Sequence, residues 1–373
     1  MYYSIIIPVY NRPFEVDELL ESLTKQTYKD FEVVIVEDGS KYDCKHIVDK
    51  YTDRLNIQYH VKENGGPGMA RNFGVEKSNG EYMIILDSDV IVPEKYMEAV
   101  DRNLYVYKAD VFCAPDEADP AFTDEQKAIS YAMTSPLTTG GIRNRKRTMD
   151  RHYPRSFNMG IRKEVFQKVG GFSKMRFGED IELGARLYRA GYNTMLFEDA
   201  FVYHKRRTHF RQFYKQVYNS GIARINLYKK YPETLKAVHF LPAIFTLSLI
   251  LWVLSNVFQA VVVNLTMLYY NLFLDISIQS FSFFREMGYL FNLFRFLNFI
   301  ESLQTIYVAL LFIYLGAIFV TSAVKNGFVV GLLSVPASLI QLCGYGLGFI
   351  KAYWKRCVKK EDEFTAFKNT FYD

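Results

Sequence analysis

The chain has 373 residues, a formal net charge of +5, half its residues apolar and 16% aromatic. So mild a charge, with no dense basic stripe, gives no ground for a nucleic-acid partner. The four cysteines, Cys44, Cys113, Cys343 and Cys357, form no CxxC pair and no Cys/His cluster. Neither a zinc site nor a disulfide framework is indicated, and a reducing compartment is the simplest reading.

Short apolar runs alternate with amphipathic stretches over the first hundred residues. Strands are predicted at residues 4–9, 32–36, 57–60 and 82–86, and helices at 15–26, 43–51 and 67–77. The run Ile5-Ile6-Ile7 is interrupted by Pro8 and lacks a basic leader, so it reads as a buried strand and not as a signal peptide. Strand–helix alternation of this kind predicts an α/β domain with a Rossmann-like, mostly parallel sheet. Polar clusters stand at three predicted strand ends, where such sheets carry their sites: Tyr10-Asn11-Arg12, Glu37-Asp38-Gly39-Ser40 and Asp87-Ser88-Asp89.

Residues 114–156 look irregular. They hold Pro115, Pro120, Pro136, Gly140-Gly141 and the basic run Arg143, Arg145, Lys146, Arg147 and Arg151. A lid or acceptor loop and a solvated loop without a ligand fit equally. Ordered structure is expected to resume at Phe157.

Residues 237–274, 302–324 and 326–350 contain no Asp, Glu, Lys or Arg. About 20 apolar residues suffice to cross a bilayer as a helix. The last two stretches fit one crossing each, while the first is too long for one and tight for two. Residues 276–300 carry Arg285, Glu286 and Arg295 among Phe and Leu, a pattern suited to an interfacial helix. A buried soluble helical bundle is the alternative. Lys229, Lys230 and Lys236 precede this region, and Lys351, Lys355, Arg356, Lys359 and Lys360 follow it. Cytoplasmic flanks collect such residues, so both ends are expected in the cytoplasm, which needs an even number of crossings. Four are expected, with the first stretch folded as a hairpin near Ser255-Asn256. Three would leave one basic flank outside. The expected division is therefore 1–236 for a catalytic domain, 237–350 for transmembrane and interfacial helices, and 351–373 for a cytoplasmic basic tail.

Each polar cluster has two readings. Asp87-Ser88-Asp89 follows an apolar strand, where two carboxylates can share Mg²⁺ or Mn²⁺ with phosphate oxygens, but such a triplet also serves as a solvated turn. Asp38 ends a strand and can accept hydrogen bonds from a nucleobase, yet Asp38-Gly39 is also a common turn pair. Gly65-Gly66-Pro67-Gly68 lets a ligand approach the backbone before a helix start. Gly178-Glu179-Asp180 precedes an amphipathic helix. Its acids fit a first helical turn, or a general base near an acceptor hydroxyl.

Taken in order, these pieces resemble the inverting family 2 glycosyltransferases, which have a GT-A fold. The matching text is Ser4-Ile-Ile-Ile-Pro-Val-Tyr-Asn11, Asp30-Phe-Glu-Val-Val-Ile-Val-Glu-Asp-Gly-Ser40, Gly66-Pro-Gly-Met-Ala-Arg-Asn-Phe-Gly74, Gly80-Glu-Tyr-Met-Ile-Ile-Leu-Asp-Ser-Asp89, Val169-Gly-Gly-Phe172 and Gly178-Glu-Asp180. It covers roughly residues 3–205. Tyr153-Pro-Arg-Ser-Phe-Asn-Met-Gly160, the segment 210–224 with Gly221, and Gly344-Tyr-Gly-Leu-Gly-Phe349 are similar to the membrane-bound ExoA-like branch, which extends lipid-linked sugars in exopolysaccharide assembly.

The resemblance implies roles. Asp38 would bind the uracil of a UDP-sugar with Arg71 beside it, and Pro8, Val9 and Tyr10 would frame the nucleotide. Asp87, with Ser88 next to it, would sit near the ribose and the metal. Asp89 would be the principal metal ligand, and His204 would complete that site or touch the diphosphate. Asp180 would be the catalytic base, and Glu179 would support the acceptor. Lys205, Arg206 and Arg207 would contact phosphate. Processive synthases of the family carry QxxRW after the base, whereas Tyr214-Lys-Gln-Val-Tyr218 stands here, which implies addition of a single sugar. The implied partners are a UDP-sugar donor, a lipid-linked saccharide acceptor and membrane lipid, at the inner face of a plasma membrane. The rivals are a processive or GDP-sugar-dependent enzyme, a nucleotidyltransferase, and an inactive membrane scaffold or transporter.

Overall fold

The computed structural model describes residues 2–117, 119, 121–140, 154–175, 177–205, 209–277 and 282–367. In chain order the elements are β1 (Tyr3–Val9), α1 (Pro13–Thr24), β2 (Phe31–Asp38), α2 (Lys45–Val48), β3 (Ile57–Lys62), α3 (Pro67–Lys77), β4 (Tyr82–Leu86), β5 (Val90–Ile91), α4 (Tyr96–Tyr107), β6 (Val111–Cys113), β7 (Asp116–Glu117), α5 (Asp124–Thr134) and α6 (Pro136–Thr139). They continue as β8 (Asn158–Arg162), α7 (Lys163–Val169), α8 (Glu179–Arg189), β9 (Thr194–Leu196), β10 (Val202–His204), α9 (Phe210–Lys230), α10 (Leu241–Ser277), α11 (Ser282–Asn326) and α12 (Phe328–Tyr353).

A seven-stranded sheet runs in the order β3-β2-β1-β4-β8-β6-β9. Only β8 is antiparallel to its neighbours. β1 and β2 are buried along their whole length, as expected of near-continuous Val/Ile runs covered on both faces. One face packs Val16, Leu19 and Leu20 of α1 with Met97 and Val100 of α4. The other packs Ala70 and Val75 of α3 with Leu183 and Leu187 of α8. Beside the antiparallel strand, Phe112 stacks between Tyr82 and Phe197, with centroids 6.0 and 4.7 Å away. Gly160 on β8 makes room for that ring, since a Cβ there would lie 2.1 Å from it.

The strand order reverses between β1 and β4, and such a switch point opens a crevice at the carboxyl ends. Pairing of β1 with β4 stops at Ile6, while pairing with β2 continues to Val9. Pro8, which cannot donate to a ladder, lies where β2 alone is paired. A second sheet, β5-β10-β7, stands at the same end. Its register sets His204 opposite Val90, just after the Asp87-Ser88-Asp89 triplet.

Several expectations are corrected. The predicted helix at 43–51 is confined to Lys45–Val48. Residues 124–134, expected to be irregular, form α5. Its start is a capping box in which Gln126 N donates to Thr123 Oγ1 (3.3 Å) and Thr123 N donates to Gln126 Oε1 (3.1 Å). The basic run of 143–151 lies outside the described residues. No hairpin forms near Ser255-Asn256, because α10 is helical straight through them. The predicted interfacial stretch continues into the following apolar run as one helix, α11. Three helices among the described residues are long and apolar enough to cross a membrane, not four.

α12 packs along α9 at very short range. A Cβ at Gly348 would sit 2.1 Å from the Tyr218 carbonyl oxygen, and one at Gly221 would sit 2.2 Å from that of Tyr345. Gly348→Ala is therefore expected to push the helices apart and lower stability by about 1–3 kcal/mol, the usual range for overpacking. Thermal unfolding in detergent checks this. Gly316→Ala, where the added Cβ meets nothing, is the control expected to leave the midpoint unchanged.

Candidate active site

Three loops at the carboxyl ends of β1, β2 and β4 build one side of the site. Asn11 adopts a left-handed conformation with φ 54°. Its Oδ1 accepts from Lys41 N (2.8 Å) and Tyr42 N (3.1 Å), while its own N–H donates to Ser40 Oγ (2.7 Å). The β1 loop is thereby pinned to the β2 loop. Asp38 is buried. Its carboxylate accepts from Gly65 N (2.9 Å), Gly66 N (2.8 Å) and Lys62 Nζ (2.7 Å). This holds the glycine loop against the end of β2. A cleft of about 250 Å³ opens there, lined by Asn64 to Met69 on one wall and Ser173, Lys174 and Met175 on the other.

Asp87, Asp89 and His204 each offer a ligand atom, and the three atoms lie within 4.8 Å of one another. His204 Nε2 is 3.2 Å from Asp89 Oδ1, and its opposite nitrogen, Nδ1, is 3.8 Å from Asp116 Oδ2 on β7. A carboxylate behind an imidazole is the usual way to fix a ligating ring. The Phe157 ring stacks on the same imidazole at 5.1 Å. Arg12 Nη1 lies 2.5 Å from Asp89 Oδ2, so a cationic group already sits against this carboxylate. Two hard oxygens with one imidazole form a donor set that suits Mn²⁺ or Mg²⁺.

Arg71 joins this side to the other. Its guanidinium is buried, donating from Nη2 to Asp87 Oδ1 (2.7 Å) and from Nη1 to Glu179 Oε1 (2.9 Å). It also stands 5.4 Å from the Phe172 ring centroid. Burial pushes the Glu179 carboxyl up to about 7, with Arg71 pulling it down and Asp180 pushing it further up. Asp180 is the next residue in the first turn of α8. Arg155 Nη1 lies 3.7 Å from its Oδ2.

The structure thus brings Asp87, Asp89 and His204 together and places Glu179 and Asp180 across Arg71 from them. Ser88 is buried within the triplet, and Pro8, Val9 and Tyr10 end β1 at the same edge of the sheet. Arg71, expected beside Asp38, instead makes its contacts with Asp87 and Glu179, because α3 directs it across the crevice. Lys205 donates its backbone N–H to Asp89 O (2.9 Å), while its ammonium pairs with Glu18 of α1. Arg206 and Arg207 lie outside the described residues. Arg12, Lys62, Asp116 and Arg155 had no role in the sequence reading. Arg12 stands in a polar cluster at a strand end, which is a usable signal. Asp116 carries no local one, since only the pairing of β7 with β10 brings it to His204.

Residues 4–170 match the family described as Glycosyl transferase family 2, and residues 156–321 match Glycosyl transferase family group 2. The chain carries a glycosyltransferase domain that matches family 2 over residues 4–170, a little under half of its length. It is 44% identical over 118 residues to an uncharacterized glycosyltransferase of Rickettsia bellii, a match spanning 31% of this chain but only 17% of that protein. Glycosyltransferase GlyG of Streptococcus pneumoniae is 27% identical over 216 residues, or 55% of this chain and 71% of GlyG. The transferase also shares its fold with mannosyltransferase PcManGT of Pyrobaculum calidifontis, solved with GDP-Man and Mn²⁺. The TM-score is 0.55 at 14% identity, over 95% of this chain and 87% of that one.

Two outcomes follow from the Arg71 bridge. Arg71→Met removes the cation between two carboxylates and is expected to cost about 3–5 kcal/mol of folding stability, measured by denaturant unfolding at pH 8. Adding Glu179→Gln should recover part of the loss, and equal instability of the two variants would contradict the bridge. In the unsubstituted transferase Glu179 keeps its proton up to about 7, whereas the unfolded chain releases it near 4.5. The folded state therefore binds more protons between these values, and the contribution of Glu179 to stability falls as pH rises through that window. Glu179→Gln should flatten that slope.

Proposed function

We propose that this transferase moves a single sugar, with inversion, from a UDP-sugar to a lipid-linked or membrane-associated saccharide at the cytoplasmic face of the plasma membrane, as a step of polysaccharide assembly. The observation that carries the proposal is one continuous site: Asp87, Asp89 and His204 at one end, Asp180 at the other, and the Arg71–Glu179 pair between them.

The preference for uracil rests on Asp38. A carboxylate offers about four acceptor positions. Lys62, Gly65 and Gly66 occupy three, two on Oδ1 and one on Oδ2. One acceptor position on Oδ2 remains, which matches the single ring N–H of uracil. Guanine presents two adjacent donors and would need more.

Asp87, Asp89 and His204 would hold Mg²⁺ or Mn²⁺, which when bound offsets the negative charge that develops on a departing diphosphate. The remaining steps belong to side chains of the chain itself. Asp180 takes the proton of the acceptor hydroxyl as that oxygen bonds to the anomeric carbon. The bond from that carbon to UDP breaks on the opposite face, so one displacement inverts one centre. Glu179, held by Arg71, lines the acceptor side next to Asp180. Single-sugar addition is supported by the 214–218 stretch. It lies inside α9 and packs Tyr214 and Tyr218 against α12 residues, away from the cleft.

The test is nucleotide release by the detergent-solubilised full chain, offered UDP- and GDP-sugars, Mg²⁺ or Mn²⁺ and a lipid-linked saccharide. Release is expected with UDP-sugars only, and only with acceptor and metal present. Asp180→Asn should lower it about 10²–10⁴-fold while donor binding is retained. Unchanged release in that variant would remove Asp180 as the base, and release from GDP-sugars alone would overturn the uracil assignment.

A further inference from the structure

Judged by length and apolarity, α10, α11 and α12 all fit a bilayer. Their packing separates them. In the most apolar window of each helix, 17% of α10 and 11% of α11 are buried inside the protein, against 39% of α12. α12 is covered by the catalytic domain itself: Val330 and Ala337 join Ala128, Ile129 and Met133 of α5 and Phe213 and Val217 of α9 in one core. Further along, Phe349 and Ala352 join Tyr218, Ile222 and Ile225 of α9. The two helices therefore run side by side in the same direction over most of α12.

The ends of α12 decide its path. α10 leaves the catalytic domain and α11 returns to it, with Phe245 next to Tyr314, Trp252 next to Tyr307 and Ser255 next to Gln304. At the end of α11, Tyr131 and Leu137 of the catalytic domain hydrogen-bond Thr321 and Tyr314. α12 starts against that end, with Gly331 on Ala323 and Ser334 on Ser322. It finishes against the start of α10, with Gly346 on Pro242 and Thr246 and Phe349 on Phe240. Both of its ends thus lie at the domain-proximal feet of the hairpin. Along the hairpin axis these attachments differ by the stretch from Tyr314 to Ala323, nine residues or about 13 Å. A hydrocarbon core is about 30 Å thick. A crossing α12 would also take Lys215 and Arg224 of α9 into lipid with it, at about 2.5–3.5 kcal/mol or more each.

We infer that only α10 and α11 cross the bilayer, and that α12 lies along its catalytic-domain face as an interfacial platform. The inference rests on the reading that α10 and α11 span a membrane. The platform's partner is the headgroup and upper acyl layer. Leu137, Phe240, Leu241, Phe328, Val329 and Leu332 are exposed apolar residues at these feet, and Lys351 and Lys359 beyond them suit anionic headgroups. Two crossings keep both basic flanks on one side. In the structure these flanks meet: Asn219 and Asn226 of α9 donate to the carbonyls of Ala366 and Phe364, and Lys230 lies 3.9 Å from Glu363.

The test is labelling of single cysteines at Lys229, Ser277 and Lys359 in the full chain, with Cys44, Cys113, Cys343 and Cys357 replaced by serine, using a membrane-impermeant maleimide on sealed vesicles of each orientation. Lys229→Cys and Lys359→Cys should label from the same face and Ser277→Cys from the opposite face. Labelling of Lys359→Cys together with Ser277→Cys would show that α12 crosses and would overturn the inference. Labelling of all three from one face would instead remove the spanning reading of α10 and α11, a distinct failure.

Discussion

Arg71 is a buried guanidinium whose two ends are held by carboxylates on different elements, Asp87 after β4 and Glu179 at the start of α8. An isolated buried cation is strongly disfavoured, so its position depends on both partners being in place. This fixes the distance between the loop that carries the Asp87/Asp89 pair and the helix turn that carries Asp180. The rest of the domain is arranged around that contact. The glycine loop before α3 lets the chain approach both Asp38 and the α8 turn, since a Cβ at Gly68 would already touch Phe172, Ser173 and Glu179. The last strand of the small sheet then closes the far side by delivering His204 to Asp89.

The same chain of contacts leads from the site towards the long apolar helices. Gly178, the residue before the α8 turn, stands against Leu227 and Ala223 of α9, and Met175, Ile181 and Leu227 form a small core of their own. α9 in turn carries α12. The proposed base therefore stands two packing layers from the apolar helices. In the proposed reaction an acceptor held in lipid would reach Asp180 from the side of α9.

Much of this was legible in the sequence because the signals are local. Alternating apolar runs locate β1, β2 and β4, and the polar residues immediately after them mark the site. The α3 boundaries follow from Gly66-Pro67 at one end, where Gly66 takes a φ of 87° and proline starts the helix. What the sequence hid is tertiary. The partners of Arg71 lie 16 and 108 residues away. Asp116 reaches His204 only through the β7–β10 pairing. The Thr123/Gln126 capping box is a local signal, but it stands among Pro115, Pro120, Pro136 and Gly140-Gly141, residues that favour turns. The hairpin expected in 237–274 failed because an uncharged stretch of that length is equally content as one long helix. Apolarity alone does not reveal that α12 packs closely on α9 and α10 through Gly344, Gly346 and Gly348.

In the proposed reaction Asp87, Asp89 and His204 would hold one divalent ion beside the diphosphate of a bound nucleotide. Pulsed electron paramagnetic resonance of the full chain in detergent, with substoichiometric Mn²⁺ and UDP, tests it most directly. The expected spectrum has a ¹⁴N coupling that disappears in His204→Gln and a ³¹P coupling that requires UDP. Bound Mn²⁺ with neither coupling, or with a ¹⁴N signal unaffected by loss of His204, would contradict it.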